Sequence, residues 1–310
     1  MEFVRGLQGL SPRFRGAAVT VGSFDGIHLG HGALIARTCA LAAQSGKPAL
    51  MLTFEPLPRE YLAASDPPAR LTDFRERWRV LERADLAALC VLRFDEKLRS
   101  LTGDEFVAVL TERVAASAVV VGEDFRFGRG GAGSVALLRA AAAAGRFALE
   151  LVPAVQVDGV RVSSSGVRAA LVAGDFSRAR DLLGRPYSMR GCVVRGEQLG
   201  RRLGYPTANI RMRRRKVPFT GIHAVRVRGI DEARSRAGVS SLGVRPTVDG
   251  TELLLEAHVF DFDGSLYGRE LEVEFVAKIR DEEKFENLDA LVAQMHRDAA
   301  EARRLLSAHS

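Results

Sequence analysis

The sequence predicts two domains of different class: an α/β domain on a parallel sheet, followed by a small antiparallel β-barrel with a C-terminal helix. Three observations lead there. In the first half, short apolar β-rich runs alternate with helical stretches, the pattern of βα units around a sheet covered on both faces. After Arg185-Pro186 the β-rich runs follow one another with no helix between them. At 310 residues the chain is long enough for two cores, which places residues 1–185 in one domain and 186–310 in the other.

The elements follow in order. Ala17–Val21, Ala49–Phe54, Leu89–Phe94, Ala118–Val121 and Phe147–Val152 read as buried strands. Gly32–Gln44, Asp73–Leu81, Gly103–Val114 and Val135–Ala144 read as the helices between them, with Ala140–Ala144 as helix formers. Gly174–Gly184 reads as a helical connector. Met189–Arg195, Gly221–Arg228, Gly238–Leu242, Leu253–Phe260 and Leu271–Ile279 read as barrel strands; the last two partly alternate, as half-buried antiparallel strands do. In the closing helix Leu288, Leu291, Val292, Met295, Ala299, Ala302 and Leu306 fall on one face.

Composition bounds the function. With 47% hydrophobic and 27% charged residues, the chain is neither disordered nor fibrous. No apolar run approaches the roughly 18 residues of a membrane span. Met1–Ser11 carries Glu2 and Arg5 and lacks the apolar core of a signal peptide. Cys39, Cys90 and Cys192 show neither zinc spacing nor a disulfide framework, which suits a reducing cytoplasm. The net charge of +7 favours anionic ligands such as nucleotides, although by itself it fits RNA equally well. Arg211–Lys216 holds five positive charges in six residues and reads first as a solvated loop, second as an attractor of an anionic nucleotide, third as an RNA contact.

The sharpest motif is Gly22-Ser23-Phe24-Asp25-Gly26-Ile27-His28-Leu29-Gly30-His31, between the first strand and the first helix. Helix N-terminal amides favour phosphate there, and His28 and His31 can donate to phosphate oxygens as charge grows during transfer. Gly30 leaves room for a flat base. The bland alternative is a glycine-rich turn with capping or surface histidines. Arg161-Val162-Ser163-Ser164-Ser165-Gly166-Val167-Arg168 offers hydroxyls before a helix, ordinary caps by default, between two arginines whose guanidinium forks match phosphate. In the barrel half, Gly196 to Ile210 reads as a shaped loop with a β-like end. Thr207 and Asn209, two apart, present hard oxygen ligands to the same side, as a partly hydrated magnesium requires; a structural turn is the alternative. Glu256 lies in a strand, where a solvated face is the default reading.

On these residues the chain resembles a known family. The first half is similar to HxGH nucleotidyltransferases, and more closely to the adenylyltransferase half of the prokaryotic bifunctional riboflavin kinase/FAD synthetases. The matching runs are Gly22–His31, Leu52-Thr53-Phe54-Glu55-Pro56, Val121-Gly122-Glu123-Asp124-Phe125-Arg126-Phe127-Gly128 and Arg161–Arg168. The second half carries Gly200-Arg201-Arg202-Leu203-Gly204-Tyr205-Pro206-Thr207-Ala208-Asn209, which resembles the G-R-x-L-G-[FY]-P-T-A-N signature of riboflavin kinases. Glu256 to Gly268 resembles that family's E-x-H-x-x-D-F-x-x-D-L-Y-G run, Ser241–Thr247 its N-[IL]-G-x-[RK]-P-T run, and Arg280–Phe285 its R-x-E-x-x-F run. Leu57 stands where the family has His, Asp124 and Ser241 where it has Asn, Ser165-Gly166 where it has Thr and a further residue, His223 for a usual Tyr, and Ser265 for a usual Asp.

The resemblance implies a Rossmann-like nucleotidyltransferase domain and a riboflavin kinase barrel. It implies ATP binding by Gly22, Phe24, Asp25, Gly26, His28, Gly30, His31, Arg161, Ser163, Ser164, Ser165 and Arg168, with the flavin near Asp124, Phe125 and Phe127. In the kinase it implies ATP and flavin at Gly200, Arg201, Gly204, Tyr205, Pro206, Thr207 and Asn209, magnesium at Thr207 and Asn209, and Glu256 as the base. Riboflavin, FMN and ATP are the expected partners, with FMN and FAD as products, in the cytoplasm, as a monomer or weak oligomer, without membrane or nucleic acid. Two alternatives stay open: a kinase whose adenylyl transfer is weakened by Leu57 and Asp124, and a tRNA-binding HxGH protein, although no K-M-S-K-S-like second motif is present.

Overall fold

The computed structural model describes the chain except residues 197–199, 201–202, 215, 232–233, 248–249 and 309–310, and at 245–247 and 250–252 it describes the backbone alone. Two compact units emerge. The first joins Met1–Pro68 with Arg77–Val162; the second joins Ala69–Glu76 with Ser163–Ser310.

The first unit is built on a six-stranded parallel sheet of β1 (Glu2–Arg5), β2 (Ala18–Val21), β3 (Ala49–Glu55), β4 (Ala88–Arg93), β5 (Ala118–Gly122) and, after the short β6 (Arg126–Phe127) and β7 (Gly133–Ser134) hairpin, β8 (Ala148–Val152). Its order is β1-β4-β3-β2-β5-β8. Every residue of β2 is buried, as is the Leu50-Met51-Leu52 run of β3, because layers cover both faces. β1 escapes the sequence reading because its apolar signal is only Phe3 and Val4, of which Val4 alone is buried. Of the expected Gly103–Val114 helix, Gly103–Ala108 is α-helical and Val109–Arg113 is a wider π turn. From β2 the chain adds β3 and β4 on one side and then returns to add β5 on the other. The carboxyl ends of β2 and β5 therefore flank the point where strand order reverses, the standard crevice for ligands in open α/β sheets. A short antiparallel hairpin, β9 (Gln156–Val157) and β10 (Val160–Arg161), ends the unit.

The second unit contains two successive helices: Ser164–Val172, the helix expected after the serine hydroxyls, and Phe176–Leu183, within the expected Gly174–Gly184 connector. The closed barrel contains β11 (Ser188–Val194), β12 (Thr207–Arg211), β13 (Gly221–Arg228), β14 (Arg236–Thr247), β15 (Gly250–Val259) and β16 (Glu270–Arg280), in the order β11-β12-β15-β14-β13-β16. Pairing of β16 with β11 closes it and removes the sheet edges. Leu271, Val273 and Phe275 of β16 are buried and alternate with half-buried Glu272 and Glu274. The helix Leu288–Ala308 lays Ala299, Ala302 and Leu306 on Ala224 and Phe260 of the barrel. The Arg280 guanidinium grips the Asp298 carboxylate of that helix with two nitrogens, at 3.0 and 2.7 Å, and lies over the Phe285 ring. The first residue of the R-x-E-x-x-F run thus fastens the closing helix, and the last packs on that arginine. His223 is fully buried among Phe176, Phe219 and Phe275, and burial pushes its imidazole down to about 3, so it is neutral.

The basic run Arg211–Lys216 corrects the reading of a solvated loop at one position. Arg211, Arg213 and Lys216 are exposed, but the Arg214 side chain is only 1% exposed. It forms an ion pair with Glu76 and donates to the carbonyls of Arg70 and Leu71 (3.3 and 3.1 Å) and to the Tyr187 hydroxyl (3.0 Å). Burial works against its charge, but the Tyr187 hydroxyl, Glu76 and Asp73 together hold the guanidinium above its usual range. Glu76 also accepts from the amides of Asp73 and Arg190. Removing Arg214 would leave the buried Glu76 carboxyl without its cation, so Arg214→Met is expected to destabilise the protein by about 3–5 kcal/mol. Arg213→Ala should change stability by no more than about 0.5 kcal/mol. Urea unfolding checks this; equal midpoints for the two variants would contradict it.

Candidate active sites

In the first unit the sequence motifs gather at the carboxyl ends of β2, β3 and β5. After Val21 the chain makes a strained turn. Phe24 (φ 49°) and Ile27 (φ 42°) both occupy the left-handed region that disfavours side chains, and Gly26 (φ 86°) lies between them. Phe24, Asp25 and His28 are buried, so the turn is packed inward. His28 is the N-cap of α1 (Leu29–Ser45): its Nδ1 accepts from the His31 amide at 3.3 Å. With Nδ1 the acceptor, a neutral His28 carries its proton on Nε2 and can donate it to an oxygen beyond the helix end. The two imidazoles stack with centroids 3.7 Å apart, and His31 also meets the Phe24 ring edge-on. The cap reading and the phosphate reading of these histidines are therefore compatible. Gly30 also has a reason within the fold: a Cβ there would meet the His28 ring at 3.3 Å and the Val162 carbonyl at 3.7 Å. The glycine makes room for the histidine.

Arg77 was not singled out by sequence, yet it holds this turn. Its side chain is 2% exposed. Nη1 donates to the Ser23 carbonyl (3.0 Å) and toward the Thr53 hydroxyl (3.4 Å), and Nη2 donates to Glu55 (2.7 Å). The guanidinium thus ties the Gly22–His31 turn to Thr53 and Glu55 of the L-T-F-E-P run. Beyond β5, Phe125 stacks on Phe127, which packs on Phe106 in the core. Asp124 is exposed and forms an ion pair with Arg161 at 2.5 Å.

Ser163, Ser164, Ser165 and Arg168 belong to the second unit. The Ser163 hydroxyl caps its helix by accepting from the Gly166 amide at 3.1 Å, as the default reading had it. Arg168 donates to the Ala69 carbonyl at 2.6 Å.

The barrel brings its predicted residues together. Asn209 of β12 pairs directly with Glu256 of β15, and Glu256 pairs with Ser241 of β14, so the three side chains form a row on one face. Thr207 shares that face, opposite His258. A Cβ on Gly196 would overlap the Asn209 amide at 2.5 Å, so only glycine lets the chain pass there. A cleft of about 190 Å³ is lined by Pro206, Thr207, Asn209, Phe262, Ser265 and Tyr267, among others; Glu256 is not one of its lining residues. Tyr205 Oη sits 2.6 Å from His296 Nδ1, tying the signature loop to the closing helix. Glu282 was named only as part of a run, but it accepts from the Ser241 hydroxyl, and burial pushes its carboxyl up against the pull of that bond and of Arg280. Gly200 and Gly204 are described and half-buried and exposed respectively; Arg201 lies outside the described residues. Hydroxyl and amide oxygens in a polar cleft beside a carboxylate fit a hydrated magnesium held chiefly by nucleotide phosphates. No helix among the described residues is long and apolar enough to cross a membrane.

Comparison with known proteins agrees along the whole chain. Residues 11–166 match the FAD synthetase family model and residues 183–306 the riboflavin kinase model. A bifunctional riboflavin kinase/FMN adenylyltransferase of Pseudomonas fluorescens is 43% identical over the full length of both chains. Proteins of the same description from Haemophilus influenzae (38%, covering 98% of each chain) and Escherichia coli (39%, covering 98% of this chain and 97% of the other) are also similar. A crystal structure described as a macrolide-efflux protein from Streptococcus pneumoniae superposes with a TM-score of 0.80 at 30% identity, covering 96% of this chain and 97% of that one. That likeness speaks for the fold.

Arg77→Met would break the link between Glu55 and the Ser23 carbonyl, which keeps the Thr53 hydroxyl as a donor at 3.3 Å. A loss of about 2–3 kcal/mol is expected, with Arg77→Lys recovering only part because an ammonium cannot span both partners. Urea unfolding of the two variants reads this, and a midpoint unmoved in Arg77→Met would refute the clamp.

Proposed function

The chain belongs to the family of bifunctional riboflavin kinase/FMN adenylyltransferases, and on that footing we propose which of its residues carry each reaction. The enzyme phosphorylates riboflavin to FMN with ATP and adenylylates FMN to FAD with release of pyrophosphate. Residues 1–185 carry the adenylyl transfer and residues 186–310 the phosphorylation. The observation that carries the kinase assignment is the pairing of Glu256 with Asn209 on one barrel face beside the cleft.

In the kinase, Glu256 takes the proton of the riboflavin primary hydroxyl as its oxygen bonds to the γ-phosphorus of ATP and the bond to the β–γ bridging oxygen breaks, leaving ADP. Thr207 and Asn209 would hold Mg²⁺, which when bound neutralises charge on the phosphate oxygens. Gly200, Gly204, Tyr205 and Pro206 shape the loop around the nucleotide and flavin, with Arg201 assigned from the signature alone. Gly196 keeps Asn209 in place by its lack of a side chain.

In the adenylyltransferase, a phosphate oxygen of FMN bonds to the α-phosphorus of ATP while the bond to the bridging oxygen breaks and pyrophosphate leaves. No proton need be taken, so the chain's work is placement and charge. Gly22, Phe24, Asp25, Gly26 and Gly30 form the turn, His28 and His31 donate to the α-phosphate, and Arg161 answers phosphate charge. For Ser163, Ser164, Ser165 and Arg168 the proposal is likewise an ATP-phosphate role, resting on the resemblance. Phe125 offers the flavin an aromatic face, backed by the core residue Phe127 on which it stacks. The cytoplasm is the proposed setting, in keeping with three unpaired cysteines. The protein would act as a monomer or weak oligomer, with riboflavin, FMN and ATP as its partners rather than nucleic acid or membrane.

Glu256→Gln should abolish FMN formation yet leave FAD formation from supplied FMN; equal loss of both activities in a folded protein would contradict the assignment. His31→Ala should slow FAD synthesis by about 10²–10³ with riboflavin phosphorylation nearly intact. Near-normal FAD synthesis at limiting ATP would remove the histidine from the site.

A further inference from the structure

Asp124 stands where the family has Asn, and its carboxylate is not left to face phosphate alone. Oδ2 meets Arg161 Nη2 at 2.5 Å across 37 residues of sequence. The arginine in question is the one whose expected partner is the phosphate of ATP. The backbone fixes where this happens. Asp124 leaves the carboxyl end of β5, beside the switch point, and its Oδ1 folds back over Gly122, 3.4 Å from where a Cβ would be. Arg161 ends β10, and the carbonyl of the next residue, Val162, lies against Gly30 of the histidine turn. The pair therefore sits beside the mouth of α1, where the α-phosphate would lie.

We infer that Asp124 occupies Arg161 in the free enzyme and that a polyphosphate must displace it, so that Asp124 sets how tightly this site holds phosphate. The inference rests on the assignment of Arg161 to ATP. A carboxylate and a phosphate are the same kind of ligand for a guanidinium: both are anionic oxygens presented to its fork. The carboxylate takes an Nη2 hydrogen and offsets the guanidinium charge, and as like charges the carboxylate and a phosphate repel each other. The latch is weak enough to open. Both side chains are more than half exposed, 54% for Arg161 and 65% for Asp124. An exposed pair of this kind shifts an equilibrium by about two- to fivefold. Among the described residues the pair engages Nη2, with Nε and Nη1 toward which arriving oxygens can turn. An Asn at position 124 would have the same shape without the charge, and Arg161 would meet phosphate without competition. The ligands affected are those carrying a pyrophosphate group, namely ATP and inorganic pyrophosphate.

The test is FAD synthesis by the full chain, with inorganic pyrophosphate as a competitive inhibitor against ATP. Asp124→Asn should lower both the pyrophosphate inhibition constant and the KM for ATP by about two- to fivefold. Riboflavin phosphorylation should not change. Asp124→Ala should shift the same way, which guards against an effect peculiar to the amide. Arg161→Ala should raise both constants, and adding Asp124→Asn to it should then do nothing. Constants unchanged or raised in Asp124→Asn would overturn the inference, as would an equal gain in the Arg161→Ala background, since the charge would then act without holding the arginine. Absence of FAD synthesis in the unmodified enzyme, or constants unmoved by Arg161→Ala, would instead remove the assignment on which the inference stands.

Discussion

A buried guanidinium cannot give up its proton, so every charge it carries has to be answered where it lies. Each unit of this protein is organised around one such group. In the first, Arg77 is answered by the Ser23 carbonyl, the Thr53 hydroxyl and Glu55. In the second, Arg214 is answered by Glu76, two carbonyls and Tyr187. Neither arginine is assigned to a reaction. What they do is hold irregular backbone still: the turn before α1 in one case, and the Ala69–Glu76 segment on the barrel unit in the other.

Stillness is what phosphate chemistry asks of a protein. Most of the barrier is met by donors and positive charge set in place before the transition state forms. The turn before α1 carries two residues in a costly backbone conformation. It is held in that shape by buried Phe24 and by Arg77, and the His28 cap fixes which imidazole nitrogen bears the proton. The barrel solves the same problem by register. A closed ladder fixes which side chains stand opposite, and so Asn209, Glu256 and Ser241 are set in a row by three strands that have no freedom to slip. The closing helix, gripped by Arg280 and reached by Tyr205, steadies the loop that leads into that row.

Much of this was legible in the sequence, for physical reasons. Strands buried on both faces read as apolar runs, and the change after Arg185-Pro186 from alternating elements to β-runs alone reflects a change from parallel sheet to barrel. The motifs were legible because glycines, histidines and a Pro-Thr-Ala-Asn run are compositionally odd. Long-range answers to charge were not. Arg214 sits among four other cations, a pattern that ordinarily means solvent, and its acidic partner lies 138 residues away. Arg77 sits in a helix with Arg75 and Arg79, and nothing local distinguishes it from them. The need for a glycine at position 30 was legible, but its crowding by the His28 ring two residues back shows only in the fold. The β-like end of the Gly196–Ile210 run is β12, but its partners, β11 and β15 on either side, are visible only in the fold.

The central claim is that one chain holds two working phosphate sites, with the departures at Leu57 and Asp124 leaving both in use. Chromatography of the flavins formed when purified protein is supplied with riboflavin, ATP and magnesium tests this most directly. The account predicts that FMN rises first and FAD then accumulates at its expense, with pyrophosphate released in step. FMN accumulating without FAD would contradict it.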